Sequence, residues 1–257
     1  MRTANIEVTL IDHMGSDLSV VNAARVSFSK ESEWEYDTKQ VMDEDEFGKW
    51  LGSSTEKIIH SSKRLSAQDA KLINYLAKHK HHSPFNHAFM TFRVKAPIFV
   101  ARQLVKHKFM PWNEISRRYV DDEPEFYFPD YWRAKAANVK QGSSDERCDA
   151  VYVQDDLVQM SIDDWATMHV SDSLIHYRAL MNAGVCPEQA RMVLPQNTMT
   201  EWYWSGTLGA FLDMLVLRLD NHTQKETRDV ANMIAKHVQC VFPVSYEAYL
   251  GDKGETS

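Results

Sequence analysis

Residues 105–119 read VKHKFMPWNEISRRY. Lys106, His107 and Lys108 come first, and Asn113, Glu114, Ser116, Arg117, Arg118 and Tyr119 crowd in after them. Upstream, AFMTFRVK (88–95) sets Phe92 and Val94 between Thr91, Arg93 and Lys95, which predicts a strand with one wet face. Ala96-Pro97 follows, and proline suits a first helical turn, so IFVARQLVKH (98–107) predicts a helix. Its inner stripe is Ile98, Ala101 and Val105, while Gln103, Lys106 and His107 share another face at i, i+3 and i+4. Pro111 closes that helix or the turn after it. If 112–118 is extended, Glu114, Ser116 and Arg118 point one way; if it is helical, Glu114 and Arg118 are an i, i+4 pair.

Two chemical readings suit this segment. One is a solvated basic surface. The other is an anion site, in which Ser116, backbone N–H groups and the planar fork of Arg118 hold a phosphate. Glu114 then orients an arginine or accepts from a sugar hydroxyl or a base N–H.

The chain has 257 residues, 44% of them hydrophobic and 25% charged, a mix that buries a sizeable core. Its net charge of −7 argues against bulk attraction to nucleic acid or anionic membrane, so a local basic patch is read as a site. No apolar run is long enough for a membrane span, and the N-terminus lacks a signal-peptide plan. Cys148, Cys186 and Cys240 have no metal spacing, and their odd number argues against a disulfide framework. The reading is a reduced, cytoplasmic protein.

Other segments supply the frame. IEVTLID (6–12) alternates as an opening strand, and Asp17 is placed to cap a helix through LSVVNAARVS. Residues 30–65 read as an insertion with some helix of its own. Ser66 and Asp69 resemble a capping box before Leu72, Ile73 and Leu76. Residues 121–148 are loop-like. A long helical region ends at Ala183-Gly184, and Pro187 and Pro195 bracket a short helix. TMTEWYWSG reads as a strand and LGAFLDMLVLRLD as a helix. Thr223 and Glu226 suggest a second capping box, before a stripe of Val230, Met233, Ile234, His237, Val238 and Val241.

Three further groups carry potential chemistry. HKHHSPFNH (79–87) holds His79, His81, His82 and His87, but no HExxH, and neighbouring His81 and His82 do not face one metal from a regular element. The plain reading is a helix C-terminus before a Ser-Pro turn; a third is a lining for a planar ligand. Arg191 and Arg218 sit among apolar neighbours, either snorkelling or aimed at a pocket. Cys186 before Pro187 reads as a small buried thiol, with a nucleophile as the alternative.

In order, these segments resemble the flavin-dependent thymidylate synthases, whose signature is R-H-R-x-x-S-x-N-E-x-S-x-R-Y. This chain has K-H-K-F-M-P-W-N-E-I-S-R-R-Y at 106–119. The similarity takes in DHMGSDLSVVNAARVSF (12–28), HSPFNHAFMTFRVKAPIFVARQ (82–103), EQARMVLPQN (188–197) and LRLDNHTQKE (217–226). It implies an α+β fold of the α/β complementing type. A central, mostly antiparallel sheet is flanked by helices in one domain over 1–257, with insertions at 30–65 and 121–165.

The resemblance also implies roles. Gln103, Glu114, Ser116, Arg118, Arg191 and Arg218 would hold dUMP, with Arg218 against the pyrimidine as an activating catalytic residue. Ser27, Ser83, Lys106, His107, Lys108 and His222 would contact FAD. His81, the other catalytic position, would stand where flavin and folate stack. The implied co-substrates are NADPH and 5,10-methylenetetrahydrofolate, the product is dTMP, and no metal is implied. The family is a homotetramer with active sites at subunit interfaces.

Departures gather on the flavin side. Both signature arginines are lysines, the first signature serine is Pro111, and Asn86 replaces an acid. Thr207, Gly209 and Asp213 stand where the family has flavin-facing Asn, Arg and Asn. They motivate two alternatives: a different 5-substituted product such as hydroxymethyl-dUMP, or a non-catalytic nucleotide-binding paralogue.

Overall fold

The computed structural model describes residues 1–41, 58–120, 122–136, 143–153 and 158–251. Among them the α-helices are α1 (Asp17–Arg25), α2 (Ala67–Lys78), α3 (Ile98–Leu104), α4 (Ile162–Asn182), α5 (Pro187–Ala190), α6 (Leu208–Arg218), α7 (Lys225–Val241) and α8 (Pro243–Leu250). The main sheet has strands β1 (Glu7–Met14), β2 (Phe89–Pro97), β3 (Trp112–Glu114) and β4 (Met199–Thr207). Their order is β1-β2-β4-β3, antiparallel throughout. This is the α+β architecture expected from the sequence.

The chain divides into two compact units. One comprises residues 1–14 and 89–240, the other 15–88 and 241–257. In the first, β2 and β4 pair over their whole length, from Met199 opposite Pro97 to Thr207 opposite Phe89. Their inward residues alternate, as a pleated strand requires: Met90, Phe92 and Val94 on β2, Thr200, Trp202 and Trp204 on β4. Burying side chains of this size stabilises by about 1.5–3 kcal/mol each. Phe92 and Trp204 meet Phe211 of α6 edge-on. Gly206 continues this face, where a Cβ would come within 3.1–3.2 Å of the Met110 side chain. A small residue therefore lets the chain pass close to β4 just before β3 begins.

Helix α3 starts at the expected place, with Pro97 as its N-cap residue, but ends at Leu104 rather than His107. Its buried stripe is Val100, Ala101 and Leu104, and Val105 is exposed. Leaving the helix at Val105 lets Phe109 adopt a left-handed φ of 60° and turns the chain into β3. Segment 112–118 is extended only to Glu114; a turn follows, with Tyr119 N–H donating to the Ser116 carbonyl. Of the stripe read on α7, Val230, Ile234 and Val238 are buried, joined by Ala231 and Ala235, while Met233, His237 and Val241 are partly buried. The second capping box does not form. Thr223 Oγ1 donates to the Leu217 carbonyl, and Glu226 turns inward to an ion pair. Helix α4 ends as expected, with Gly184 at φ 84° just past its cap.

In the second unit, α1 is capped by Ser16, which forms a capping box with Ser19. Asp17 does not cap its own helix. Its buried carboxylate accepts from the N–H groups of Val244 and Ser245, in the first turn of α8. Helix α2 starts as expected, Ser66 Oγ accepting from Asp69 N–H. The described parts of 30–65 form an antiparallel pair, Glu35–Val41 with Ile58–Arg64, and no helix; residues 42–57 of that insertion lie outside the described residues. Region 121–165 lies in the first unit, and its part 121–148, read as loop-like, is not all loop. It holds the short strands Glu125–Phe126, Arg133–Lys135, Ser143–Arg147, Ala150–Val153 and Val158–Ser161. Residues 121, 137–142 and 154–157 of it, and 252–257 of the polar tail, are likewise outside the described residues. No described helix is long and apolar enough to cross a membrane.

Candidate active site

The first unit gathers its expected site residues into two clusters. The first forms where α3 and α6 end and α7 begins. Thr207 Oγ1 caps α6 by accepting from Ala210 N–H, and Leu208, Phe211, Leu212, Met214 and Leu215 bury its inner face. Arg218, in the last turn, is thereby held half-buried. Its Nε–H donates to His107 Nε2 at 3.0 Å and its Nη2 to the Gln103 carbonyl at 3.2 Å. That carbonyl is available because it belongs to the last turn of α3, where intrahelical partners run out. The negative end of the helix dipole also favours the cation there.

Burial pushes the His107 imidazole down to about 4, and the Arg218 charge adds to this. The ring is therefore neutral near pH 7, with its Nε2 lone pair turned to Arg218 and its proton on Nδ1. Burial also lowers the Arg218 guanidinium from its ordinary value.

The Gln103 side chain is fixed as well. Its amide hydrogen-bonds to Gln224, and its Oε1 accepts from Thr227 Oγ1 at 3.1 Å. Gln224 Nε2 donates to Glu226 at 3.0 Å, and Glu226 takes Arg133 on both carboxylate oxygens. A cavity of about 660 Å³ opens beside these groups, lined by Gln103, Lys106, Arg218, Asp220, His222 and Gln224. His222 Nδ1 lies 2.9 Å from Asp220 Oδ1, which orients the ring at the rim. Lys106 and Lys108 are exposed.

The second cluster is built on β3, β4 and α5. Glu114 accepts from Thr200 Oγ1 at 2.7 Å and from Trp112 Nε1 at 3.0 Å. Trp112 stacks on Trp202 with ring centroids 4.3 Å apart. Ser116 Oγ accepts from the backbone N–H and Nε of Arg118. Arg118 reaches Glu188 at 3.9 Å, and Arg191 Nε donates to the Glu188 carbonyl at 3.3 Å. The two arginines converge on one residue through weak, exposed contacts, which leaves both forks able to take a stronger anion. Among the described residues, no side-chain hydrogen bond links Gln103, His107 or Arg218 to Glu114, Ser116, Arg118 or Arg191.

Ser27, His81 and Ser83 belong to the other unit. Ser27 lies in the 3-10 turn Val26–Phe28 and Ser83 opens the turn Ser83–His87. His81 lies parallel to Tyr75 at 6.1 Å. The histidine run spans the end of α2 and the turn after it. Cys186 is exposed, not buried, because it is the N-cap residue of the short surface helix α5.

Sequence reading missed Thr200, Glu188, Gln224 and Arg133. Thr200 was findable, since it shares the inward period of Trp202 and Trp204. Arg133 carried no local signal, because its partner Glu226 lies 93 positions away.

A family model described as thymidylate synthase complementing protein matches residues 9–244. A flavin-dependent thymidylate synthase of Kosmotoga olearia is 35% identical over 243 residues, covering 95% of this chain and 89% of that one. One of Thermus thermophilus is 36% identical over 246 residues, covering 94% and 74%. Among solved structures, a UMP/dUMP methylase, PolB from Streptomyces cacaoi bound with 5-Br dUMP, is 29% identical with a TM-score of 0.70, covering 97% of this chain and 96% of that one. The same protein bound with 5-Br UMP gives 28% and 0.71, covering 97% and 95%.

Proposed function

The chain belongs to the family of the flavin-dependent thymidylate synthases, and on that premise we propose that it is a methyltransferase that makes dTMP from dUMP. The one-carbon unit comes from 5,10-methylenetetrahydrofolate and the reducing equivalents from NADPH. The observation that carries the reading is Arg218, a cation at a cavity wall whose two hydrogen-bond partners among the described residues are both neutral. C5 of uracil is a weak nucleophile. An uncompensated guanidinium against the ring oxygens stabilises the enolate-like charge that makes C5 reactive.

Gln103 and Glu114, each fixed by neighbours, orient pyrimidine and sugar. Ser116, Arg118 and Arg191 hold the phosphate, two planar forks on one anion. Lys106, His107, Lys108, His222, Ser27 and Ser83 hold FAD, and His81 stands where flavin and folate stack. The polar, cation-bearing lining of the cavity suits a phosphate-bearing nucleotide. Bound there, FAD supplies the hydride that completes the methyl group.

The two clusters become one site when copies of the chain assemble, and the proposed assembly is a cytoplasmic homotetramer. Phe109 is 93% exposed, Tyr119 79% and Met192 76%, apolar area beside the site that a neighbouring copy would cover. Incubation with FAD, NADPH, methylenetetrahydrofolate and dUMP, with UMP in parallel, and identification of the product by mass tests the reading. The expected product is dTMP. A hydroxymethylated nucleotide, or none, would overturn it. Light scattering reports the assembly state.

A further inference from the structure

A half-buried guanidinium is usually held by a carboxylate. Arg218 is held by an imidazole nitrogen and a backbone carbonyl, and among the described residues it forms no ion pair. Both acceptors fix direction. Nε–H goes to His107 Nε2 and one Nη2–H goes to the Gln103 carbonyl, so two edges of the planar fork are set. Arg218 also lines the cavity, together with Lys106, Asp220 and His222. A carboxylate in the place of His107 would fix the same plane and cancel the charge. A protonated histidine would offer no lone pair.

We propose that His107 is a positioning residue for Arg218: a neutral acceptor that orients the guanidinium while leaving its charge available to the nucleotide. This rests on the reading that Arg218 faces the pyrimidine, and it adds a role distinct from flavin contact. The ring is locked for that role. It lies 6.2 Å from the buried Trp204 ring, and its neutral form is favoured by burial and by Arg218 itself. The mechanism needs no proton from it; it needs one lone pair in one place.

Three substitutions separate the possibilities. His107→Gln keeps a neutral acceptor that reaches the Nε2 position. His107→Ala removes the acceptor. His107→Glu keeps an acceptor and adds a charge. With FAD and folate saturating, kcat should stay within about tenfold of wild type for Gln and fall about a hundredfold or more for Ala and Glu. Thermal melting checks that each variant is folded.

FAD affinity, from absorbance titration, and dUMP affinity without flavin, from tryptophan fluorescence, are measured alongside. Should kcat fall in step with FAD affinity in all three, or should Glu match Gln, the positioning role is overturned. If wild type yields no product, the proposed function fails, and dUMP affinity alone judges His107. Gln binding more tightly than Glu and Ala supports the role, and any other order, or no binding by wild type, rejects it.

Discussion

The Arg133 guanidinium lies 2.9 and 3.0 Å from the two oxygens of the Glu226 carboxylate, and both side chains are nearly buried. Glu226 also accepts from Gln224, whose amide holds Gln103. The ion pair thus anchors a line of side chains that ends in the candidate nucleotide site.

Arg133→Met should destabilise the protein by about 3–5 kcal/mol, because it strands a buried carboxylate. Urea denaturation measures this. The double change Arg133→Met, Glu226→Leu should recover most of the loss, since a pair replaced by apolar groups strands no charge. A single variant as stable as wild type would mean that solvent reaches Glu226.

Thr200→Val keeps the shape of an inward β4 residue and removes the hydroxyl that donates to Glu114 at 2.7 Å. Hydrogen bonds to charged groups contribute about 1.5–3 kcal/mol. The KM for dUMP should rise about tenfold or more, with the melting temperature changed little. An unchanged KM would show that Trp112 alone holds the carboxylate in place.

His107 has a pH signature of its own. With its imidazole pushed down to about 4 in the folded chain and near 6.5 when unfolded, the unfolded chain holds the extra proton between those values. Stability should therefore fall as pH drops from about 6.5 to about 4 and gain no further slope from this group below that. His107→Gln removes the titration, so the wild-type minus variant difference should bend in that window. Carboxylates that titrate there cancel in the difference. A flat difference would mean the ring is not buried in solution.

Much of this was legible in the sequence, and the exceptions share a cause. Strands β1, β2 and β4 and helices α2, α6 and α7 follow local period and capping, so reading short windows placed them. The strand-to-helix steps at Pro97 and Thr207 start the helices whose ends carry Gln103 and Arg218. What stayed hidden was long-range pairing. Thr223 and Glu226 have the spacing of a capping box, but the buried Arg133 competes for the carboxylate and wins. Val105 fits the stripe of α3, but the helix ends one residue earlier and turns it outward.

Cys186→Ala should leave turnover within about twofold of wild type. The thiol is exposed at the start of α5, and the proposed chemistry activates C5 through Arg218 rather than through a covalent adduct. Complete loss of turnover with FAD binding intact would restore the nucleophile reading of Cys186.

Asp17 shows the same long-range effect with a measurable cost. Its carboxylate serves α8, accepting from Val244 N–H and Ser245 N–H at 2.9 Å each and from Ser245 Oγ. Burial pushes its carboxyl up, while those three donors favour the charged form. Asp17→Ala removes the acceptor and leaves buried donors unmet, for a loss of about 2–3 kcal/mol. Asp17→Asn keeps one acceptor oxygen and should lose less, about 1 kcal/mol, the order of an N-cap exchange. Amide exchange at Val244 and Ser245 should quicken in the Ala variant before exchange in α7 does, because α8 loses its anchor while the apolar stripe of α7 stays in place. If both helices loosen together, the effect of Asp17 is not confined to α8.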